Sequence, residues 1–118
     1  MEKKFKVDFL GEAIDFMESL EEKSREKIYY NARKAQIVND PELLKKLNEF
    51  IWEFRTKYNK HDFRLLAFWD KTDIEDTLVV ATHGFIKKTQ KTPKSEIKKS
   101  EEIRKDYFEQ KSKKNEKR

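Results

Sequence analysis

The run Phe63-Arg64-Leu65-Leu66-Ala67-Phe68-Trp69 and, further on, Thr77-Leu78-Val79-Val80-Ala81-Thr82-His83-Gly84-Phe85-Ile86 decide the fold. Both are rich in aromatic and β-branched residues and are bounded by polar turns, the texture of strands. Phe50–Tyr58, just upstream, has the same character. The connectors Asn59-Lys60-His61-Asp62 and Asp70–Asp76 suit hairpin loops, so three successive antiparallel strands are predicted.

Working outward, Lys4–Leu10 places Phe5, Val7 and Phe9 on one side and reads as a short strand. Ala13, Phe16, Met17 and Leu20 then fall at i, i+3, i+4 and i+7, one stripe of an amphipathic helix. A second helix is predicted from about Glu22 to Val38, with Ile28, Ala32 and Ala35 inward. It stops at Asn39-Asp40-Pro41, where Pro41 suits the first turn of a further short helix carrying Leu43, Leu44 and Leu47. After Thr92, expected as an N-cap, Pro93 starts a last helix. Its Ile97, Ser100, Ile103, Tyr107 and Phe108 share an arc of roughly 140°, enough to dock on the sheet. The predicted class is α+β, with an N-terminal strand and helices, a three-strand antiparallel meander and a C-terminal helix. The helices are expected to cover one sheet face and leave the other for a ligand.

With 118 residues, a single domain over residues 1–110 is expected, followed by a basic, flexible tail at 111–118 that has no apolar anchor. There is no cysteine, which excludes disulfides and thiolate metal sites. Two histidines without ligand spacing give no basis for a metal, and no cofactor-binding motif is visible. No apolar run is long enough to cross a bilayer or serve as a signal peptide, so a cytoplasmic location is expected. The net charge is +5, and residues 87–118 hold 13 Lys/Arg against 6 Asp/Glu, more than the whole excess. A polyanion contact beginning near Lys87 follows, unless the segment is merely a solvated helix and tail.

Glu53-Phe54-Arg55, Phe63–Trp69 and above all His83-Gly84-Phe85-Ile86-Lys87-Lys88-Thr89-Gln90-Lys91-Thr92-Pro93 resemble the phage-derived branch of the RelE/HigB-like toxins. That branch shows a Glu-Leu-Arg, a Tyr-Arg before an aromatic strand, and a signature close to His-Gly-Phe-x-Lys-Lys-Thr-x-Lys-Thr-Pro. The resemblance runs from Leu43 to Tyr107, and eleven consecutive positions of mixed chemistry make the last motif specific. Phe54 stands for the usual Leu, and Phe63 for the Tyr that often precedes the second arginine; if that hydroxyl carries a proton in relatives, Phe63 does not take over the role.

The resemblance implies a type II toxin: a ribosome-dependent, metal-independent mRNA endonuclease that inhibits translation. Its partners would be mRNA on the ribosome and a cognate antitoxin, with which it could form a hetero-oligomer. Relatives of this fold that inhibit DNA gyrase by binding supply the alternative of a toxin or binding module that cuts nothing, and a non-toxic RNA- or ribosome-binding remnant of phage origin is a third. Cleavage without metal uses the RNA 2′-OH as nucleophile and needs a base, an acid and donors to the phosphate. Arginine forks and crowded lysines can supply all three. Arg64, Lys87, Lys88 and Arg55 are therefore the candidate catalytic residues, and Lys91, Thr92 and His83 the candidate RNA-binding residues. Each has an alternative role. Arg64 could cap a sheet edge or pair with Glu53, and His83 could be a hydrogen-bonded core residue. Which of Lys87 and Lys88 faces the site depends on the presence of a bulge.

Overall fold

A computed structural model describes residues 3–73 and 77–116. The elements are β1 (Lys6–Phe9), α1 (Gly11–Glu18), α2 (Glu22–Ile37), β2 (Leu44–Lys46), β3 (Trp52–Tyr58), β4 (His61–Asp70), β5 (Leu78–Ile86) and α3 (Lys94–Glu116). They form an α+β domain around one five-stranded sheet in the order β1-β5-β4-β3-β2. β3, β4 and β5 make the expected antiparallel meander, with β2 antiparallel to β3, while β1 lies parallel to β5 at the far edge. Residues 74–76 of the predicted Asp70–Asp76 connector lie outside the described residues. Among the described residues no helix is long and apolar enough to cross a membrane.

The middle strands are apolar on both sides because both sides are covered. On one face Ala13 and Met17 of α1 and Ile28, Ala32 and Ala35 of α2 pack on Phe54, Phe63, Leu65, Ala67, Val79 and Ala81. On the other, Ile97, Tyr107 and Phe108 of α3 pack on Leu66, Phe68 and Val80. The expectation that all helices share one face is thus overturned. A helical stripe records only that a helix has a sheet-facing side, and the C-terminal helix finds the face α1 and α2 leave uncovered.

Three further expectations need correction. The short helix after Pro41 is a single turn followed by β2. The Asp40 carbonyl accepts from the backbone N–H of Leu43 and Leu44 at 2.9 and 3.1 Å, and its side chain accepts from Glu42 N–H at 2.9 Å. Leu44 then pairs with Phe54, so the chain gains a sheet ladder instead of further helical turns. The last helix starts at Lys94, so Thr92 lies outside it, and its hydroxyl bonds Glu53 instead of capping the helix. Finally, α3 does not end at Gln110: it continues to Glu116, held where the Lys111 ammonium meets Asp70 at 2.7 Å. Lys117 and Arg118 of the expected tail lie outside the described residues.

Gly84 has a steric reason. A Cβ there would sit 2.2 Å from the Phe16 ring, so the bare backbone lets α1 seat on β5.

Candidate functional site

Two residues with left-handed backbone, Asn59 (φ 50) and Lys60 (φ 64), close a two-residue turn between β3 and β4. That turn sets the register, and the register sets the site: Arg55 lies directly opposite Arg64, and Lys57 opposite Asp62. Alternation along the strands puts Glu53, Arg55, Asp62 and Arg64 on the α3 side of the sheet. Two opposed guanidiniums repel, and carboxylates beside them offset the repulsion. Arg64 Nε is 3.3 Å and Arg55 Nε 3.7 Å from Glu53 Oε1, while Arg64 Nη1 is 2.7 Å from Asp62 Oδ1. The other Glu53 oxygen accepts a hydrogen bond from the Thr92 hydroxyl, tying the loop before α3 to the start of β3.

Arg64 is only 1% exposed, among the most buried large side chains of the protein. The alternative reading of its partner, Glu53, is the arrangement found. Arg55 keeps about a fifth of its side chain exposed and is the more accessible guanidinium. Neither Arg55 Nε nor Arg64 Nε makes an aligned hydrogen bond; both atoms are enclosed and face Glu53 as ion pairs. A cavity of about 170 Å³ opens beside them where β2 stops short on β3, lined by Asn31, Glu42, Arg55, Thr56, Lys57 and Arg64.

Lys87 joins this group. Its backbone N–H bonds the Asp62 carbonyl at 2.7 Å, carrying the β4–β5 ladder one step past β5. The register irregularity lies between Leu66 and Ala67, opposite Thr82. Pairing is regular from His83 onward, which puts Lys87 on the α3 side with Arg64 and Asp62. Burial and the neighbouring Arg64 and Arg55 guanidiniums hold its ammonium below the usual lysine pKa, against the opposing pull of Asp62 and Glu53. Lys88 and Lys91 are exposed in the following loop.

His83 is a core histidine. It is 3% exposed, with Nδ1 3.1 Å from the Thr82 hydroxyl and Nε2 3.1 Å from Glu96 Oε1. Thr82 in turn bonds Ser100 at 2.8 Å, so this chain pins the first turns of α3 to β5. Burial lowers the His83 pKa, partly offset by Glu96. His61, expected in a turn, begins β4 and stands exposed against the Phe63 ring. Among the described residues no group of three or more His, Asp or Glu side chains could hold a metal ion.

The sequence singled out Arg55, Arg64 and Lys87, which the fold brings together, and Thr92, which the fold ties to them through Glu53. It did not single out Asp62, Asn31 or the Thr82–Ser100 pair. Asp62 was legible in principle: once a two-residue turn is placed at Asn59-Lys60, Asp62-x-Arg64 and Glu53-x-Arg55 fall on one face with their charges interleaved.

Fold and site together define a small α+β domain with a buried arginine–carboxylate cluster, flanked by a depressed-pKa lysine and an exposed basic loop. The model of the family described as phage-derived protein Gp49-like (DUF891) matches residues 15–105, most of the chain, and the protein belongs to that family. No curated protein gives a significant match.

Proposed function

We propose that this protein is a RelE/HigB-like type II toxin that cleaves messenger RNA on the ribosome without a metal, held in check by a cognate antitoxin in the cytoplasm. The observation that carries the proposal is Lys87: a lysine whose ammonium is destabilised beside the Arg64 and Arg55 guanidiniums, the second of which keeps about a fifth of its side chain exposed. Such a lysine exchanges a proton nearer neutrality than an isolated one. In its neutral form Lys87 Nζ takes the 2′-OH proton. The 2′-oxygen attacks phosphorus, the bond from phosphorus to the 5′-oxygen breaks, and Lys88 or Lys91 protonates the leaving oxygen. Arg55 donates to the non-bridging oxygens as charge builds. Arg64, enclosed behind it, acts through its field on Lys87 and through Glu53 on the placement of Arg55. Products are a 2′,3′-cyclic phosphate and a 5′-hydroxyl.

The test is to induce the protein in growing cells and sequence transcript ends. New 5′-hydroxyl ends within translated regions, absent with Lys87→Arg, support the proposal, and growth arrest without such ends overturns it. One observation favours a second reading, a non-cleaving toxin or binding module of the gyrase-inhibitor kind. An arginine 1% exposed between two carboxylates is what a purely structural arginine looks like. Growth arrest without RNA ends would select that alternative.

A further inference from the structure

Away from this cluster, one large apolar side chain is displayed in a way the fold does not need. Phe50 is 41% exposed, while its neighbour Ile51 is fully buried. The turn that presents it is fixed: Asn48 Oδ1 accepts from the backbone N–H of Phe50 at 3.0 Å and of Ile51 at 2.8 Å, and Leu47 N–H bonds the Ile51 carbonyl at 2.9 Å. A ring on a floppy loop would be an ordinary surface residue; this one is held in place. The Arg104 guanidinium of α3 lies over it, 3.9 Å from the ring centroid, and is 5.1 Å from the Phe108 ring. Phe108 in turn meets Phe68 of the core in a tilted contact, with centroids 5.5 Å apart and planes at 56°. A continuous line of ring and guanidinium contacts therefore runs from core to surface and ends on Phe50, beside an open groove of about 560 Å³ between the turn and α3.

We propose that Phe50 and Arg104 form a nucleobase-stacking subsite, which takes one unpaired base of the RNA strand whose phosphate lies at the Arg55–Lys87 cluster. The proposal rests on the RNA-cleaving function above. Within the groove, Glu101 and Glu109 balance Arg104 and Lys105, so it offers no net attraction to a phosphate. What it offers is a flat ring and a planar cation, the surface on which a base stacks irrespective of its backbone. The surroundings select the rest of the ligand. Lys45 of β2 pairs with Glu53 and so shares the sheet side of Arg55 and Arg64. From Trp52, two residues after Phe50, to Arg55 is three residues along β3, roughly 10 Å, a gap that a few nucleotides span. An aromatic with a polyanionic chain attached fits this sequence of surfaces; an apolar peptide does not use its cations. The rim carboxylates accept hydrogen bonds from exocyclic amines, which favours adenine or cytosine over uracil.

The test measures binding of the full chain to 2′-O-methyl hexanucleotides, which cannot be cut by 2′-OH attack, using fluorescence anisotropy. The ligands are oligo-A, oligo-U and an oligo-A with an abasic site at each position in turn. Expected is tighter binding of oligo-A than of oligo-U, and a loss of roughly tenfold for Phe50→Ala on oligo-A. Phe50→Trp should retain affinity. At one position, removing the base should cost the wild type that same factor and cost Phe50→Ala nothing. Unchanged oligo-A binding by Phe50→Ala overturns the subsite. So does an equal loss at every abasic position, which would mark a general defect, with the thermal midpoint reporting on folding. If Phe50→Ala has no effect while neutralising Lys87, Lys88 and Lys91 weakens every oligonucleotide, the subsite falls and the RNA-binding function stands. Absence of any wild-type binding to these oligonucleotides overturns the subsite, while transcript ends still decide the function separately.

Discussion

Arg64 Nε lies 3.3 Å from Glu53 Oε1 across the β3–β4 pair, and both side chains are almost completely enclosed. Enclosed charges are costly to strand and far less costly to remove together. Arg64→Ala should lower stability by about 3–5 kcal/mol, and Glu53→Ala by a similar amount. The double replacement Glu53→Leu with Arg64→Met should recover much of that loss. Urea unfolding of the four proteins checks this. Loss of the proposed toxicity in Arg64→Ala alone would therefore say nothing about chemistry, because the variant loses a fold-supporting pair as well as a cation.

Lys87→Arg separates charge from proton transfer. Arginine keeps the positive charge but does not deprotonate in the working range. Cleavage on saturating ribosomes should fall by roughly two orders of magnitude or more, with ribosome affinity nearly unchanged. In the wild type, the rate should rise with pH as the ammonium loses its proton. Because its pKa is depressed, that rise should level off below the ordinary lysine value of about 10.4. A wild-type rate independent of pH between 6 and 9, or a fully active Lys87→Arg, would remove Lys87 from the role of base.

Much of this site was legible in the sequence, and the reason is local. Residues 63–69 and 78–86 are rich in aromatic and β-branched residues and so read as strands, and an arginine between Phe63 and Leu65 marks a position that is either paired within the sheet or functional. What was not legible depended on long-range competition. Leu43, Leu44 and Leu47 carry a helix-like spacing, yet the free edge of β3 offers Leu44 a ladder that outweighs it. Thr92 precedes a helix and looks like a cap, but a buried carboxylate on β3 lies within its reach. The side of the sheet taken by α3 follows from where α1 and α2 already sit, which no stripe within α3 records.

Gly84→Ala tests the close approach of α1 to β5. A methyl group would overlap Phe16, so either the ring or the helix must shift. A loss of about 1–3 kcal/mol is expected. Phe16→Leu in the same background should restore part of it by vacating that space. A neutral Gly84→Ala would mean that Phe16 moves aside at no cost and that its contact does not require glycine here.

The end of α3 allows the most discriminating test. Asp70 is 2% exposed and accepts from Tyr107 Oη at 2.6 Å, from Lys111 Nζ at 2.7 Å and from both the backbone N–H and the hydroxyl of Thr72. Burial alone would raise its pKa, but these donors hold it well below the ordinary carboxylate range. A depressed carboxylate pKa stabilises the fold fully above the unfolded value of about 3.9, and the contribution drains away as pH falls below it. Burial and Asp70 raise the Tyr107 pKa, so the phenol's contribution holds below about 10 and is lost as pH climbs further. Truncation after Lys111 should keep this latch; truncation after Gln110 removes the ammonium and should lower stability by roughly 1–2 kcal/mol at pH 7. Asp70→Asn should lose more, and its stability should vary less between pH 2 and 5 than that of the wild type. Both truncations remove Lys113, Lys114, Lys117 and Arg118, and the one after Gln110 also removes Lys111, so both should weaken ribosome binding in a salt-dependent way, the shorter chain slightly more. Neutralising Lys87, Lys88 and Lys91 together should instead slow cleavage on bound ribosomes by roughly a hundredfold or more. Denaturant midpoints and single-turnover cleavage at saturating ribosome separate these effects. Equal stability of the two truncations would show that Lys111 does not anchor α3, and a bound-state rate lowered equally by truncation would move the active site away from Lys87.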